Sequence, residues 1–457
     1  MKIFFGIAGF LFLQSLLHAD VKELYLQHCQ VCHGNKGQGG LGSSLVDGQW
    51  THGDTDADHV KVITDGLPDM GMAGFGSVLS DKEIRSLVIY IQELAQRADP
   101  PQAPPQSQGI FTTQHQIFSI DEILTNDQKM WGLSFLPDGR KIITEIDGPV
   151  KIMEVDGTLN PPIEGVPEIA RKGQGGMLDV AVHPDDAKNG WIYLAYSEGS
   201  KDKCITTVVR GKVRNNQWQE EEVIFRADEK FRGGAGVHFG SRIVFKDGYV
   251  FFSIGDRGRQ QYAQDIDYPN GKIFRLHDDG RIPADNPFVK ESSIPAIWSR
   301  GHRNPQALAF RPGTDELWST EHGPRGGDEL NRILPGRNYG WPTVTFGMNY
   351  NGTPITEHTS LPGIEDPVWH WTPSIATCGM AFANAETYPG WKGDILAGGL
   401  KAQIIERLRI GPDGVEEREV ILKSQGRVRD IKTGPDGFIY VILENNGSRL
   451  VRLVPEQ

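Results

Sequence analysis

From about residue 110 to the C-terminus one unit recurs six times: an apolar strand, a turn built on Pro, Asp or Gly, and a second apolar strand. It runs from Leu133 to Gly139 before Lys141, from Leu178 to Pro184 before Trp191, and from Ile243 to Gly248 before Tyr249. It returns from Leu308 to Gly313, at Met380-Ala-Phe, and from Ile431 to Gly437. A unit of this kind cannot bury its apolar face alone, so copies must stack on one another. Six copies at irregular spacing predict a mainly β fold, a six-bladed β-propeller of four-stranded blades. The rival is a β-sandwich, which does not usually repeat one unit six times. Strand material from Gln116 to Ile120 is placed to complete the last blade and close the ring, leaving no open edge.

The N-terminal part follows different rules. Met1-Lys2, the apolar run Ile3 to Leu13 and the small residue Ala19 read as a signal peptide over residues 1–19. An uncleaved anchor is the alternative, although the run is short for a span, and no later stretch is long and apolar enough to cross a bilayer. The mature protein is expected to be periplasmic, without stable membrane insertion. Residues 20–98 predict a small all-α domain, in which Ser80 and Glu83 form a capping box before the stripe Ile84, Leu87, Val88, Ile91 and Leu94. Residues 99–109 carry four prolines and predict a semi-rigid linker, with the propeller from 110 to 457.

Within the small domain, Cys29-Gln-Val-Cys32-His33 places two thiols one helical turn apart with an imidazole behind them. That spacing suits covalent haem c, with two thioethers and His33 on the iron. A redox dithiol or zinc knuckle is the other reading, but no second ligand pair is present. The stretch Gly66 to Gly76 resembles the class I cytochrome c segment that supplies a distal methionine. Met72 sits in register with Phe75-Gly76 and Leu79-Ser80-Asp81, Met70 is the alternative, and Ala73 stands where that class usually has proline. Cys204 and Cys378 remain, either as a disulfide or as two separate buried thiols.

A formal net charge of −12 argues against nucleic acid as a partner. The repeats nonetheless carry concentrated polar chemistry. Gly301 to Gln306 precedes an apolar strand, where a blade loop belongs. Glu321 to Pro324 with Gly327-Asp328-Glu329 is either a solvated acidic turn or the oxygen-rich setting that Ca²⁺ prefers. Lys401, Arg427 and Arg429 would bind a polyanion if they converged on the channel. His238, flanked by Gly236 and Gly240, is an unshielded imidazole able to accept a proton near neutral pH.

Taken together, His238 to Gln261, Gly301 to Gln306, His322 to Pro324, Asn338 to Pro342 and Arg427 to Asp430 resemble the soluble pyrroloquinoline quinone (PQQ)-dependent glucose/aldose sugar dehydrogenases. The resemblance spans Ile110 to Gln457, and the family fold is a six-bladed propeller. It implies that His238 is the general base at the sugar C1 hydroxyl, oriented by Asp256, with hydride passing to PQQ. It implies that Gln174 and Gln261 contact the active site and that Arg303 and Asn304 hold the quinone. Tyr350, Lys401, Arg427 and Arg429 would bind the cofactor ring and its carboxylates. One Ca²⁺ would rest on the carbonyls of Gly323 and Pro324, and a second on Glu329, the Tyr339 carbonyl and Asp328. The sequence departs from the family at Trp369 to Cys378, beside the expected substrate cleft. The implied activity is oxidation of an aldose or a sorbosone-like sugar, with electrons relayed to the haem and on to a downstream cytochrome or membrane oxidase. The rivals are a Ca²⁺-dependent propeller lactonase and a non-enzymatic binding module with an electron-transfer haem.

Overall fold

The computed structural model describes residues 20–107 and 109–456, so the expected signal peptide lies outside the described residues. Among them no helix is long and apolar enough to cross a membrane. Among the described residues the N-terminal part holds four α-helices: α1 (Val21–His28), α2 (Gln30–His33), α3 (Asp56–Asp65) and α4 (Asp81–Ala98). Asp20 caps α1 by accepting the Lys22 N–H at 3.1 Å, and the Ser80 N–H donates to Glu83 at the start of α4 at 2.9 Å. Thr55 and Asp58 form a further capping box on α3.

Ile84, Leu87, Val88 and Ile91 of α4 pack with Val21, Leu24 and Tyr25 into one core. Ile89 and Tyr90 lie off that stripe yet are buried to 3% and 7% exposure. A helix that is apolar on two sides needs a second partner. The propeller supplies it: Met348, fully buried, belongs to the same apolar cluster. Burying one such side chain is worth about 1.5–3 kcal/mol.

Six sheets make up the propeller. Their innermost strands are Met130–Phe135, Met177–Val182, Ile243–Lys246, Pro305–Phe310, Thr377–Phe382 and Arg427–Thr433, which carry the first strand of each recurring unit. Four sheets have four strands, but the first has three and the last has six. The expectation of a uniform four-stranded blade is therefore corrected at two places. In the first blade the next segment does reach the edge, where Asn160 donates to Ile152 at 2.9 Å and Ile163 to Val150 at 2.8 Å. Pro161 and Pro162 stand between those bonds, and without N–H groups they cannot continue a ladder.

In the last blade Ile117–Asn126 pairs antiparallel with Ser448–Pro455, which closes the ring with chain from both ends. Ile110–Thr112 and Gln106–Ser107 add outward from there. The second half of the proline-rich segment is thus paired to the propeller. Lys423 also donates to the Pro101 carbonyl.

Phe118, on the closing strand, is fully buried and stacks on Phe111 with centroids 5.2 Å apart, with its edge toward Trp391. Phe118→Ala is expected to cost the propeller about 3–5 kcal/mol, read as a lower denaturant midpoint. The exposed neighbour substitution Ile117→Ala should stay within about 0.5 kcal/mol.

Candidate active site

At one end of the ring axis the loops around the inner strands frame a cavity of about 450 Å³. Gln174, Asn304, Lys401, Arg427 and Arg429 reach its wall from four different blades. Lys129 and Arg171 add two more cations. The carboxylate in the wall is Glu444, which accepts from Arg429 Nε at 2.5 Å and lies 3.7 Å from Arg427. The excess is positive, in a chain whose net charge is −12, so the local field of the cavity is opposite in sign to that of the chain as a whole.

His322 also lines the cavity, and its buried Nε2 has no partner in the protein. Burial, aided by the Arg303 and Arg429 charges, pushes its pKa down to about 3. It is therefore a neutral imidazole with one unused polar atom, which a buried site normally satisfies with a ligand or water.

His238 stands beside this cavity with φ at 54°, a left-handed conformation uncommon for a residue with a side chain. Its N–H donates to Gln174 Oε1 at 2.7 Å. Its Nδ1 meets Asp256 Oδ1 at 2.6 Å. Asp256 is fully buried and also accepts the Gly258 N–H and Trp341 Nε1, each at 2.7 Å. Burial opposes the Asp256 charge, but the hydrogen bond and charge of His238 outweigh it and hold the carboxyl below its usual range. The ionised carboxylate accepts a hydrogen bond from Nδ1–H, which fixes that tautomer and leaves Nε2 as an acceptor. Burial lowers the His238 pKa below the ordinary imidazole value; Asp256 opposes that shift and the Arg303 charge adds to it. At neutral pH the ring is a neutral, oriented base.

Arg303 is nearly buried, and its Nη1 donates to the carbonyls of His322 at 3.0 Å and Gly323 at 2.6 Å. Of the residues that the resemblance implies hold the cofactor or contact the active site, Arg303, Gln261 and Tyr350 are not part of the cavity wall. Gln261 is exposed on the short turn Gln260–Ala263. Tyr350 is 74% exposed, on a loop whose Gly352 packs against Asp20 and Val21 of the helical part.

The oxygen-rich turn divides in two. Asp328 is turned to the backbone, accepting N–H groups of Ala376 at 2.6 Å, Gly323 at 3.1 Å and Thr377 at 3.2 Å. Its oxygens are spent on closing the turn, so the structure does not offer it as a free cation ligand. Pro324 O accepts from Ser374 Oγ at 2.9 Å. Glu329 lies beside the buried Glu321, and Asn331 Nδ2 donates to both, at 3.1 and 3.3 Å. Burial and the Glu321 charge push Glu329 well above the usual carboxyl range, and burial raises Glu321 to about 7. Two crowded carboxyls are a donor set that a hard cation relieves, and the Tyr339 backbone is held nearby through its N–H on the Arg300 carbonyl at 2.9 Å. Among the described residues no cluster of three His, Cys, Asp or Glu is arranged around a metal position.

A second cavity lies in the helical part, walled by Cys29, His33, Met72, Leu67, Phe75 and Ile91. His33 Nδ1 donates to the Ser43 carbonyl at 2.8 Å, which orients the ring and leaves Nε2 for a metal. Leu67 and Met72 exchange backbone hydrogen bonds at 2.8 and 3.1 Å. That turn carries Met70 outward, to 69% exposure, and Met72 inward to the apolar cluster. Apolar walls with one imidazole and one thioether fit a haem. Cys204 and Cys378 are both buried and unbonded, the blander of the two sequence readings.

Sequence reasoning gave no role to Trp341, Glu444 or the His322 ring. Trp341 is 85 residues from the carboxylate it holds, so no local spacing announces the pair.

The chain matches the family model described as glucose/sorbosone dehydrogenase over residues 127–452. Over residues 17–91 it matches the model described as cytochrome c oxidase, cbb3-type, subunit III. It is 41% identical over 334 residues to the aldose sugar dehydrogenase of Escherichia coli (strain K12), covering 71% of this chain and 90% of that protein. The solved structure of the soluble aldose sugar dehydrogenase from Escherichia coli in the apo-form superposes with a TM-score of 0.70 at 37% identity, covering 74% of this chain and all of that one. The PQQ-bound aldose sugar dehydrogenase from Streptomyces coelicolor superposes at 0.60 and 25% identity, covering 78% and 100%.

Because the His238 pKa lies below the ordinary value, the acid limb of kcat/KM should fall below about pH 6.5, with activity lost as pH drops through the shifted value and His238 becomes protonated. Asp256→Asn removes the charge that raises it, moving that limb further to acid and lowering kcat by about 10²–10⁴. In the helical part, Met72→Ala should abolish the methionine–iron charge-transfer band and Met70→Ala should leave it in place; an absorption spectrum decides.

Proposed function

The chain belongs to the glucose/sorbosone dehydrogenase family and carries a cytochrome c domain at its N-terminus, and from that premise we propose that it oxidises an aldose, or a sorbosone-like sugar, at C1 in the periplasm and relays the electrons to its own haem c. The observation that carries this reading is one chain holding two suited cavities, a cation-rich one beside an oriented imidazole and an apolar one with imidazole and thioether.

PQQ, when bound, supplies a two-electron hydride acceptor. Lys401, Arg427 and Arg429 would hold its carboxylates, and Asn304, Arg303 and the unpartnered His322 Nε2 its ring oxygens. His238 Nε2 takes the proton from the sugar C1 hydroxyl, which raises electron density at C1 and favours departure of its hydride. Asp256 stabilises the imidazolium that forms, and Trp341 and Gly258 keep that carboxylate from turning away. Arg303 sits where positive charge offsets charge growing on a reduced oxygen. The Gly323 carbonyl accepts from Arg303 and has a second lone pair that it would offer a Ca²⁺ ion, whereas the Pro324 carbonyl already accepts from Ser374 Oγ and the Gly327 N–H and would have to give one of them up. Glu329 is the carboxylate for the other cation.

The test is to add PQQ and Ca²⁺ to the haem-loaded protein with an aldose and to follow the haem absorption. Reduction that needs both additions is the expected result. Robust lactone hydrolysis without quinone, and no haem reduction, would overturn it in favour of a propeller lactonase.

A further inference from the structure

The helical part meets the propeller only through blade four among the contacts of α1, α3 and α4 described here, and it does so with one helix that also walls the haem cavity. Leu87, Val88 and Ile91 of α4 face that cavity. On the other side of the helix Ile89 packs against Gly326, where a Cβ would lie 2.8 Å from the isoleucine side chain and φ is +83°. Glu93, its side chain 7% exposed, takes the Arg325 guanidinium in a bidentate pair, with Nε at 2.8 Å. Arg325 and Met348 exchange backbone hydrogen bonds at 3.0 and 2.9 Å, which seats Met348 in the helical core. Lys82–Glu357 at 2.9 Å and Asp56–His370 at 3.1 Å border the contact. A desolvated forked pair, an apolar knob and a close backbone approach are marks of a built interface.

The loop that carries Arg325 begins at His322, in the wall of the other cavity. Arg303, Asp328 and Ser374 pin that loop. Arg325 lies three positions after His322, at most about 11 Å of chain. Glu93 lies two positions after Ile91, about 3 Å of helix rise.

We propose that loop 322–327 and α4 hold the two cavities at one fixed separation, with Arg325 and Glu93 as positioning residues for electron transfer. The inference rests on the reading that a quinone and a haem occupy those cavities. It replaces a haem domain that swings on residues 99–109 with one that is docked. Each sugar oxidised releases two electrons and two protons. The electrons are delivered singly to ferric haem, which becomes ferrous and in steady state is reoxidised by an external one-electron oxidant such as a downstream cytochrome; the protons leave to water.

The experiment compares the full-length, haem-loaded protein with Glu93→Gln and Ile89→Ala, both on the helix side of the contact. Hydrogen exchange, run without PQQ or sugar, should show protection lost in α4 and at 348–357 in both variants. Stopped-flow haem reduction by aldose after loading with PQQ and Ca²⁺ should slow by about tenfold or more as a fixed contact becomes a search. Turnover with a small phenazine acceptor that bypasses the haem should stay within about twofold, since the base and the cation wall are untouched. The charge-reversed pair Glu93→Arg with Arg325→Glu should restore protection and rate together. Undiminished haem reduction in variants that have lost protection overturns the proposal, as does an equal fall in the dye-linked rate. Failure of aldose to reduce the wild-type haem at all overturns the underlying reading instead, and the exchange data separate the two cases because they need no cofactor turnover.

Discussion

Arg242 lies at the axis of the ring and touches every other blade. Its Nη1 reaches Asp179 of the second blade at 3.1 Å and Asp430 of the sixth at 3.0 Å. Its Nε donates to the Gln306 carbonyl of the fourth at 2.8 Å. The Trp131 ring of the first blade stacks 4.2 Å from the guanidinium, and Cys378 Sγ of the fifth lies 4.0 Å from Nη2. Burial disfavours the charge, yet Asp430 and Asp179 hold it protonated, well above the usual range. A guanidinium taken this far out of water is tolerable only with such a complete set of partners, and removing one strands the rest at a cost of several kcal/mol. The set exists only when the ring is shut by Ile117–Asn126 on Ser448–Pro455. Closure and hub therefore support each other, and the loops directly above the hub have no choice but to converge.

That convergence produces the chemistry. The Arg429 carbonyl accepts from Arg242 Nη2 at 2.8 Å while the residue also lines the cavity, so the structural hub and the ligand wall share Arg429, along with Trp131 and Gln306. Cations that would repel across an open surface are held together because their backbones are fixed by the sheet. The same enforced burial lowers the pKa values of His238 and His322 and raises those of Glu321 and Glu329. Shifts of opposite sign a few residues apart mark a site where packing energy is spent on chemical readiness.

Different parts of the fold and site were legible in the sequence for different physical reasons. The six inner strands could be read because an apolar run followed by a Pro, Asp or Gly turn is a local signal. The short first blade could not be read as easily, since Pro161-Pro162 breaks a strand only once the edge it would join is known. The capping pattern at Ser80 and the stripe of α4 were local and readable; the second buried side, Ile89 and Tyr90, has meaning only against Gly326 and Met348. Tyr350 and Gln261 entered by resemblance, and the fold leaves both outside the wall: Tyr350 lies on the 349–352 loop engaged with the helical part, and Gln261 is exposed on the turn Gln260–Ala263. Asp328 is an acidic residue in an acidic turn by sequence, and an acceptor of three backbone N–H groups by structure.

The amino-acid sequence by itself determined the parts: a haem-attachment motif with two candidate methionines, a helical unit, a proline-rich joint, six repeating blades, and the residue types of a base and a cation wall. These are encoded in spacing, and spacing acts over a few residues. Only the tertiary structure decided which methionine turns inward, that Asp256 is clamped by a tryptophan 85 residues away, which cations share a cavity, and that the helical unit is seated on blade four. Those outcomes depend on ring closure and on burial, which join residues hundreds of positions apart and so leave no local trace in the chain.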